Sequence, residues 1–452
     1  MNRQKNIYFV GVGGIGMSAL ARFYAFRGYN VAGYDLTKTK LTRALETEGI
    51  SVSYTDIPET VSAAFADPET TLVVYTPAIP PDNAILNHFK QNGFELVKRA
   101  GLLGKVTQMM KGIAVAGTHG KTSISTFTAH LLYQSKQKCN AFLGGISANY
   151  KTNLLLHEDA PYTVIEADEY DRSFLQLSPS MALISSIDAD HLDIYGTHEK
   201  IIEAFNQFAN ITLDNGGTVV VHQSVKHLIN RADHCLTYGL DPQADFYPID
   251  VQYVDSEYLF SLNTPQGLVS DLRLRLPGTY NFENAVAAAS LALLAGISNQ
   301  ELTAGLSSLK GVERRFEVHL LQPVVYIDDY AHHPAEVEAC IMSARAAYPN
   351  KKIVVAFQPH LFSRTRDFYS AFSASLSLAD FVFLLPIYPA REQPLEGVSS
   401  QLVADEMDPD RVRVVTKELL LEALAENQFE VFISMGAGDI GHWIEEIKER
   451  LN

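Results

Sequence analysis

Residues Ala114–Thr122 read AVAGTHGKT, a short apolar run ending in a glycine loop closed by Lys-Thr. Such a loop turns backbone N–H groups toward a phosphate chain, brings Lys121 within reach of the β- and γ-phosphates and offers the Thr122 hydroxyl to Mg²⁺. Gly117, Thr118, His119 and Gly120 make the loop itself. Val115 stands where the longer form of the pattern has glycine, so this is the shorter GxxGKT form. A second glycine run, Gly11-Val12-Gly13-Gly14-Ile15-Gly16, has the spacing of a dinucleotide fingerprint, and Asp35 ends the strand that follows. Nicotinamide dinucleotide, another diphosphate ligand or a tight turn without a ligand all fit that spacing. The phosphate loop downstream shifts the weight toward a substrate that carries a nucleotide.

Three acidic clusters each follow a β-branched run: Glu166-Ala167-Asp168-Glu169, Asp190-His191-Leu192-Asp193 and Asp328-Asp329-Tyr330-Ala331-His332-His333. Carboxylates at strand ends near a phosphate loop suit Mg²⁺ held together with nucleotide oxygens; solvated acidic loops are the plain alternative. The adjacent histidines lack a matching set of Cys or His ligands, so zinc is not expected. Arg314-Arg315 could clamp a γ-phosphate or be a surface pair. His360 follows another strand, and Arg364 or Arg366 just beyond it could grip a carboxylate. Gly436-Ala437-Gly438-Asp439 would let backbone approach a ligand closely.

These residues need strands that end beside one another. Runs such as Ile7–Val10, Thr71–Tyr75, Ile113–Ala116, Tyr162–Ile165, Ala182–Ile187, Val324–Ile327, Ile353–Phe357, Phe381–Leu385 and Val431–Met435 alternate with helix-length segments. That alternation predicts an α/β chain with mainly parallel sheets, which bind ligands at the C-terminal strand ends. Thr237–Leu276 breaks the pattern and reads as antiparallel hairpins before a helix at Asn284–Ala295. With 452 residues the chain exceeds one ordinary core. Boundaries fall near 111 and 315, giving domains 1–111, 112–315 and 316–452. A formal charge of −16 argues against a general nucleic-acid or anionic-membrane binder. Cys139, Cys235 and Cys340 are scattered, which suggests a reducing compartment. The N-terminal apolar run breaks into glycines and fits a first strand better than a signal peptide. No stretch is apolar enough to span a bilayer, so a cytoplasmic protein is expected.

Taken together, GVGGIGMSAL, AGTHGKT, EADEYDRSF, DADHLDIYG, DDYAHHPAEV, FQPHLFSRTRD and MGAGDI resemble the Mur ligases, ATP-dependent amide-forming enzymes of peptidoglycan precursor synthesis. The resemblance runs from Gly11 to about Gly441. It implies an N-terminal Rossmann-like domain for a uridine diphosphate sugar, a central ATPase and a C-terminal Rossmann-like domain that takes the amino acid and closes. It implies UDP-N-acetylmuramate and L-alanine as substrates, with ATP and Mg²⁺. Gly13, Gly14, Ile15, Gly16 and Asp35 would lie on the sugar nucleotide. Lys121 and Thr122 would hold ATP and Mg²⁺, with Glu166 and His191 as further metal ligands. Asn281 and Asn284 fall at the adenine, Arg315 and Asp329 at the γ-phosphate and ribose, and His360 and Arg364 near the incoming amino acid. Tyr280 stands where the family often has His, Leu361 where it often has Arg, and Lys200 does not align with the carbamylated lysine of some relatives.

The chemistry so implied is activation of a carboxylate as an acyl phosphate, then attack by an amine, with Lys121, Arg315 and Mg²⁺ offsetting charge. The amine must lose a proton first, and His332 or His360 could take it. The competing readings are a ligase for a preformed peptide, a nicotinamide dehydrogenase built on GVGGIG and a nucleotide-binding module without turnover.

Overall fold

The computed structural model describes residues 5–189, 192–320, 322–390, 392–426 and 429–452. The chain is α/β, as the alternation requires, and it divides into two compact units: 1–251 with 260–273 and 284–309, and 252–259 with 274–283 and 310–452.

The first unit holds two sheets. One has five parallel strands in the order Ser51–Ser53, Asn30–Tyr34, Asn6–Val10, Thr71–Tyr75, Glu95–Lys98. The other has seven: Leu236–Tyr238, Thr218–His222, Met181–Ile184, Lys111–Ala116, Tyr162–Glu166, Cys139–Ser147 and Thr152–Leu155, parallel except for the last pair. The strand Lys111–Ala116 sits inside this sheet between Met181–Ile184 and Tyr162–Glu166. The loop after it therefore opens at an inner position, flanked by two other strand ends. Ile113–Ala116 are fully buried, the continuous apolar run expected of a strand covered on both faces. One apolar cluster joins the two sheets, with the Phe23 and Phe142 rings 5.3 Å apart.

The second unit is built on six strands: Glu317–Leu320, Val325–Asp329, Val431–Met435, Ile353–Phe357, Phe381–Leu384 and Val412–Val414, with only the first pair antiparallel. Apolar clusters cover both faces of this sheet.

The structure corrects two element expectations. Leu236–Tyr238 extends the seven-stranded parallel sheet, so the inserted sheet is shorter than expected and comprises Tyr247–Val254, Glu257–Thr264 and Gly267–Leu274. The helix expected at Asn284–Ala295 begins at Thr279, and therefore carries both Asn281 and Asn284. Among the described residues, no helix is long and apolar enough to cross a membrane.

Candidate active site

The phosphate loop leaves its strand at Gly117, whose φ is +134°, and enters the helix Lys121–Gln134 through Gly120 at φ +83°. Only glycine adopts both conformations without strain. Space excludes a side chain as well: a Cβ on Gly117 would lie 2.1 Å from Ser185 Oγ, and one on Gly120 would lie 2.9 Å from Asn284 Oδ1. The neighbouring strand end braces the loop. His119 N donates to Ser186 Oγ at 2.9 Å, Asp188 N donates to Thr118 Oγ1 at 2.8 Å and the Ser185 hydroxyl donates to the His119 carbonyl. No side chain caps this helix at Gly120, so its positive end faces the loop interior. Lys121 folds back into the same space. Its Nζ lies 2.6 Å from the Gly117 carbonyl and 2.9 Å from Glu169 Oε1. Burial works against this ammonium, but the Glu169, Asp168 and Glu166 carboxylates outweigh it and hold Lys121 above the usual lysine range.

The acidic strand end thus divides its labour. Glu169, 3 % exposed, pairs with Lys121, while Glu166 Oε2 accepts from Gly144 N at 3.1 Å and Asp168 lies 3.9 Å from Arg99. Thr122 and Glu166 supply oxygen donors, the chemistry Mg²⁺ takes while keeping several waters. His191 and Asp190 lie outside the described residues, and among the described residues no three His, Cys, Asp or Glu groups are placed to hold a metal ion.

At the N-terminal turn, Asp35 Oδ2 accepts from Gly13 N at 2.7 Å and its other oxygen accepts from Thr37 N at 3.0 Å. A Cβ on Gly13 would press to 2.8 Å from that carboxylate, and one on Gly16 to 2.4 Å from Arg99 Nη1. Gly14 starts the helix Ile15–Phe26 with no side-chain cap. Asn153 Nδ2 donates to the Ile15 carbonyl at 2.7 Å, which ties the turn to the seven-stranded sheet. Glycines, Arg99 and an uncapped helix end together suit a diphosphate.

The second unit separates two ambiguous arginine pairs. Arg314 bonds to Asp328 (2.9 Å) and to the Gly436 carbonyl (2.7 Å), so it holds the sheet together. Both guanidiniums lie over the Tyr330 ring, Arg314 at 5.2 Å and Arg315 at 5.1 Å, and the charge of Arg315 favours the ionised form of buried Asp329. Arg366 pairs with adjacent Asp367 and is 56 % exposed, whereas the charge of Arg364 bears on both His332 and His360. The His332 and His360 rings are 6.1 Å apart, and His360 stacks on Tyr388. Burial, followed for His360 by Arg364, takes each imidazole down to about 4, so both are neutral near pH 7. Asp329 is buried and accepts from Tyr280 OH, Phe316 N and Ala331 N, each at 2.7 Å. Asn281 donates to the Pro277 carbonyl, and among the described residues its own buried Oδ1 has no hydrogen-bond partner, an acceptor that an exocyclic amine would satisfy. Gly436 and Gly438 do permit close approach, but to Gln358 and Tyr388.

The sequence did not single out Ser185, Ser186, Arg99 or Glu336. Glu169 was legible as one of three clustered carboxylates, but which of them faces Lys121 depends on the turn after Glu166. Arg99 carries no motif signal; it comes to the glycine turn only through the packing of its helix, Arg99–Met109.

Three family models match the chain in succession: "Mur ligase family, catalytic domain" over residues 6–111, "Mur ligase middle domain" over 115–292 and "Mur ligase, glutamate ligase domain" over 314–438. The chain is 45% identical over its whole length to the UDP-N-acetylmuramate–L-alanine ligase of Phocaeicola vulgatus, 99% of which is covered. It is 46% identical to that of Porphyromonas gingivalis, with 99% of each chain covered. Among solved structures, the UDP-N-acetylmuramate–alanine ligase of Thermotoga maritima superposes with a TM-score of 0.79 at 27% identity, covering 99% of this chain and 98% of that one. A murein peptide ligase from Psychrobacter arcticus shares the fold at a TM-score of 0.70 and 19% identity, with 99% and 98% covered.

Proposed function

Because the chain belongs to the Mur ligase family, we propose that it joins L-alanine to the carboxylate of UDP-N-acetylmuramate with conversion of ATP to ADP and phosphate. The observation that carries this reading is full-length similarity to enzymes of that name, with the phosphate loop and its Lys121–Glu169 pair intact.

The residue roles follow from chemistry. Phosphate oxygens arriving at the loop take the place of Glu169 on Lys121, and the loop N–H groups and Lys121 then offset charge on the transferred group. Arg315 adds a second cation to that group. Gly117, Thr118, His119 and Gly120 wrap the phosphates. Asn281 and Asn284 meet the adenine and Asp329 the ribose. Gly13, Gly14, Ile15 and Gly16, with Asp35 holding the turn, receive the substrate diphosphate. Thr122, Glu166 and His191 would hold Mg²⁺, which would supply positive charge to offset that of the phosphates. Arg364 grips the alanine carboxylate beside His332 and His360. The three segments 1–111, 112–315 and 316–452 then serve the sugar nucleotide, ATP and the amino acid respectively.

Asp35 also bears on the dehydrogenase reading. Its carboxylate is engaged by Gly13 N and Thr37 N rather than presented to a ribose. The test is phosphate release with MgATP and UDP-N-acetylmuramate, adding L-alanine, glycine, L-serine or a tripeptide separately. Release that requires L-alanine, with a product heavier by one alanine residue, supports the proposal. Release only with the tripeptide moves the chain to peptide ligation.

A further inference from the structure

L-Alanine arrives near neutral pH as an ammonium, and its nitrogen attacks only after a proton has gone. Two imidazoles lie near Arg364, and their surroundings differ. His332 Nδ1 is 3.1 Å from the Tyr330 carbonyl oxygen and 3.2 Å from Glu336 Oε2. A carbonyl and a carboxylate only accept, so Nδ1 carries the ring hydrogen and Nε2 is left with its lone pair. Among the described residues His360 Nδ1 has no hydrogen-bond partner, and no such contact sets its tautomer.

Glu336 is placed by the start of its own helix, Pro334–Ala347. It forms a capping box with His333, and its Oε2 accepts from His332 N at 3.0 Å and His333 N at 3.3 Å. The same oxygen faces the His332 ring, so a helix-start device also orients an imidazole. The groups acting on that ring are Glu336 in the helix that follows it, the Tyr330 carbonyl, Arg315 and Arg364. The His360 ring adjoins it. The two arginines oppose a positive charge on His332 and, by the same field, on an ammonium beside it, while Glu336 favours the imidazolium once formed.

Resting on the reading that this unit takes L-alanine, we propose that Glu336 is a positioning residue that fixes His332 with Nε2 as the proton acceptor for the incoming amine. The ammonium passes one proton to Nε2, and the freed lone pair attacks the acyl-phosphate carbon. The new C–N bond forms, and on collapse the C–O bond to phosphate breaks, its electron pair leaving with phosphate. The second nitrogen proton departs with the phosphate, and the imidazolium returns its own to water.

The test compares L-alanine with hydroxylamine, a small nucleophile already neutral near pH 7 that attacks acyl phosphates without a base. Glu336→Gln keeps an oxygen for the helix-start N–H groups but removes the charge. Its kcat with L-alanine should fall about 10–100-fold, by analogy with outer groups that orient metal-bound histidines. KM for ATP and UDP-N-acetylmuramate should not move, hydroxamate formation should keep pace with the wild type, and the alanine deficit should shrink as pH rises and free amine accumulates. His332→Asn should give the same split by an independent route. An equal fall with both nucleophiles, or no fall with alanine, overturns the proposal alone. Wild-type protein inert toward both nucleophiles overturns the ligase reading and this proposal with it.

Discussion

In the proposed reaction Lys121 would tie stability to turnover at a single residue. Its ammonium and the Glu169 carboxylate, 15 % and 3 % exposed, form a largely buried pair. Removing one member of such a pair strands the other charge, which costs about 3–5 kcal/mol. Lys121→Ala should therefore lower the thermal midpoint and also lower kcat by about 10²–10³-fold, the usual loss for one electrostatic stabiliser of the transition state. Combining Lys121→Met with Glu169→Gln should restore the midpoint without restoring ATP-dependent phosphate release. The neighbouring arginines should separate the same two effects. Arg314→Ala leaves Asp328, fully buried, without its cation and should chiefly destabilise. Arg315→Ala removes the charge that offsets the burial of Asp329, so it should lower the midpoint as well, but it should also lower kcat by about 10²-fold or more in protein that is still folded. Steady-state kinetics below the midpoint of each variant distinguish the two arginines, and a kcat loss confined to Arg314→Ala would refute the assignment.

At the scale of elements, strand ends do the positioning and glycines set how closely they meet. Gly117→Ala would force a side chain into φ +134° and onto Ser185. Strain of that kind costs about 1–3 kcal/mol, before the steric clash is counted. The variant should melt earlier and lose ATP affinity, as measured by calorimetric titration; unchanged affinity would show that the loop does not cradle phosphate. Much of this was legible. AVAGTHGKT had to be strand, loop and helix because its apolar run, glycines and amphipathic continuation agree. The acidic clusters fell at strand ends because β-branched runs precede them. What escaped were side-chain choices made by packing: Glu169 rather than Glu166 on Lys121, Arg314 rather than Arg315 in the sheet, and Glu336 on His332. The edge strand Leu236–Tyr238 escaped too, because three residues show no periodicity and its parallel partner is set by the sheet already formed.

Over the whole molecule, buried titratable groups set the response to acid. Burial holds His130, His332 and His360 each at about 4. The unfolded chain takes up those protons first, so their contribution to stability is complete above about pH 6.5 and is lost as pH falls toward 4. Asp328 acts in the opposite sense: burial raises it to about 6, so its contribution is present at low pH and is lost as pH rises through 6. Burial raises Asp329 as well, in the same sense; three imidazoles outweigh these two carboxyls, and the thermal midpoint should fall between about pH 6.5 and about pH 4, less steeply in His130→Gln. A midpoint that rises on acidification would contradict this balance. The three cysteines are buried and burial raises their thiols, so alkylation should be slow until the chain unfolds. If this chain activates one substrate with ATP and joins it to the other, phosphate release by the purified protein with MgATP, each substrate being omitted in turn, reads that coupling. Release should occur only when UDP-N-acetylmuramate and L-alanine are both present, with one alanine residue added to the nucleotide for each phosphate. Release that ignores L-alanine, or no release with both substrates present, would contradict it.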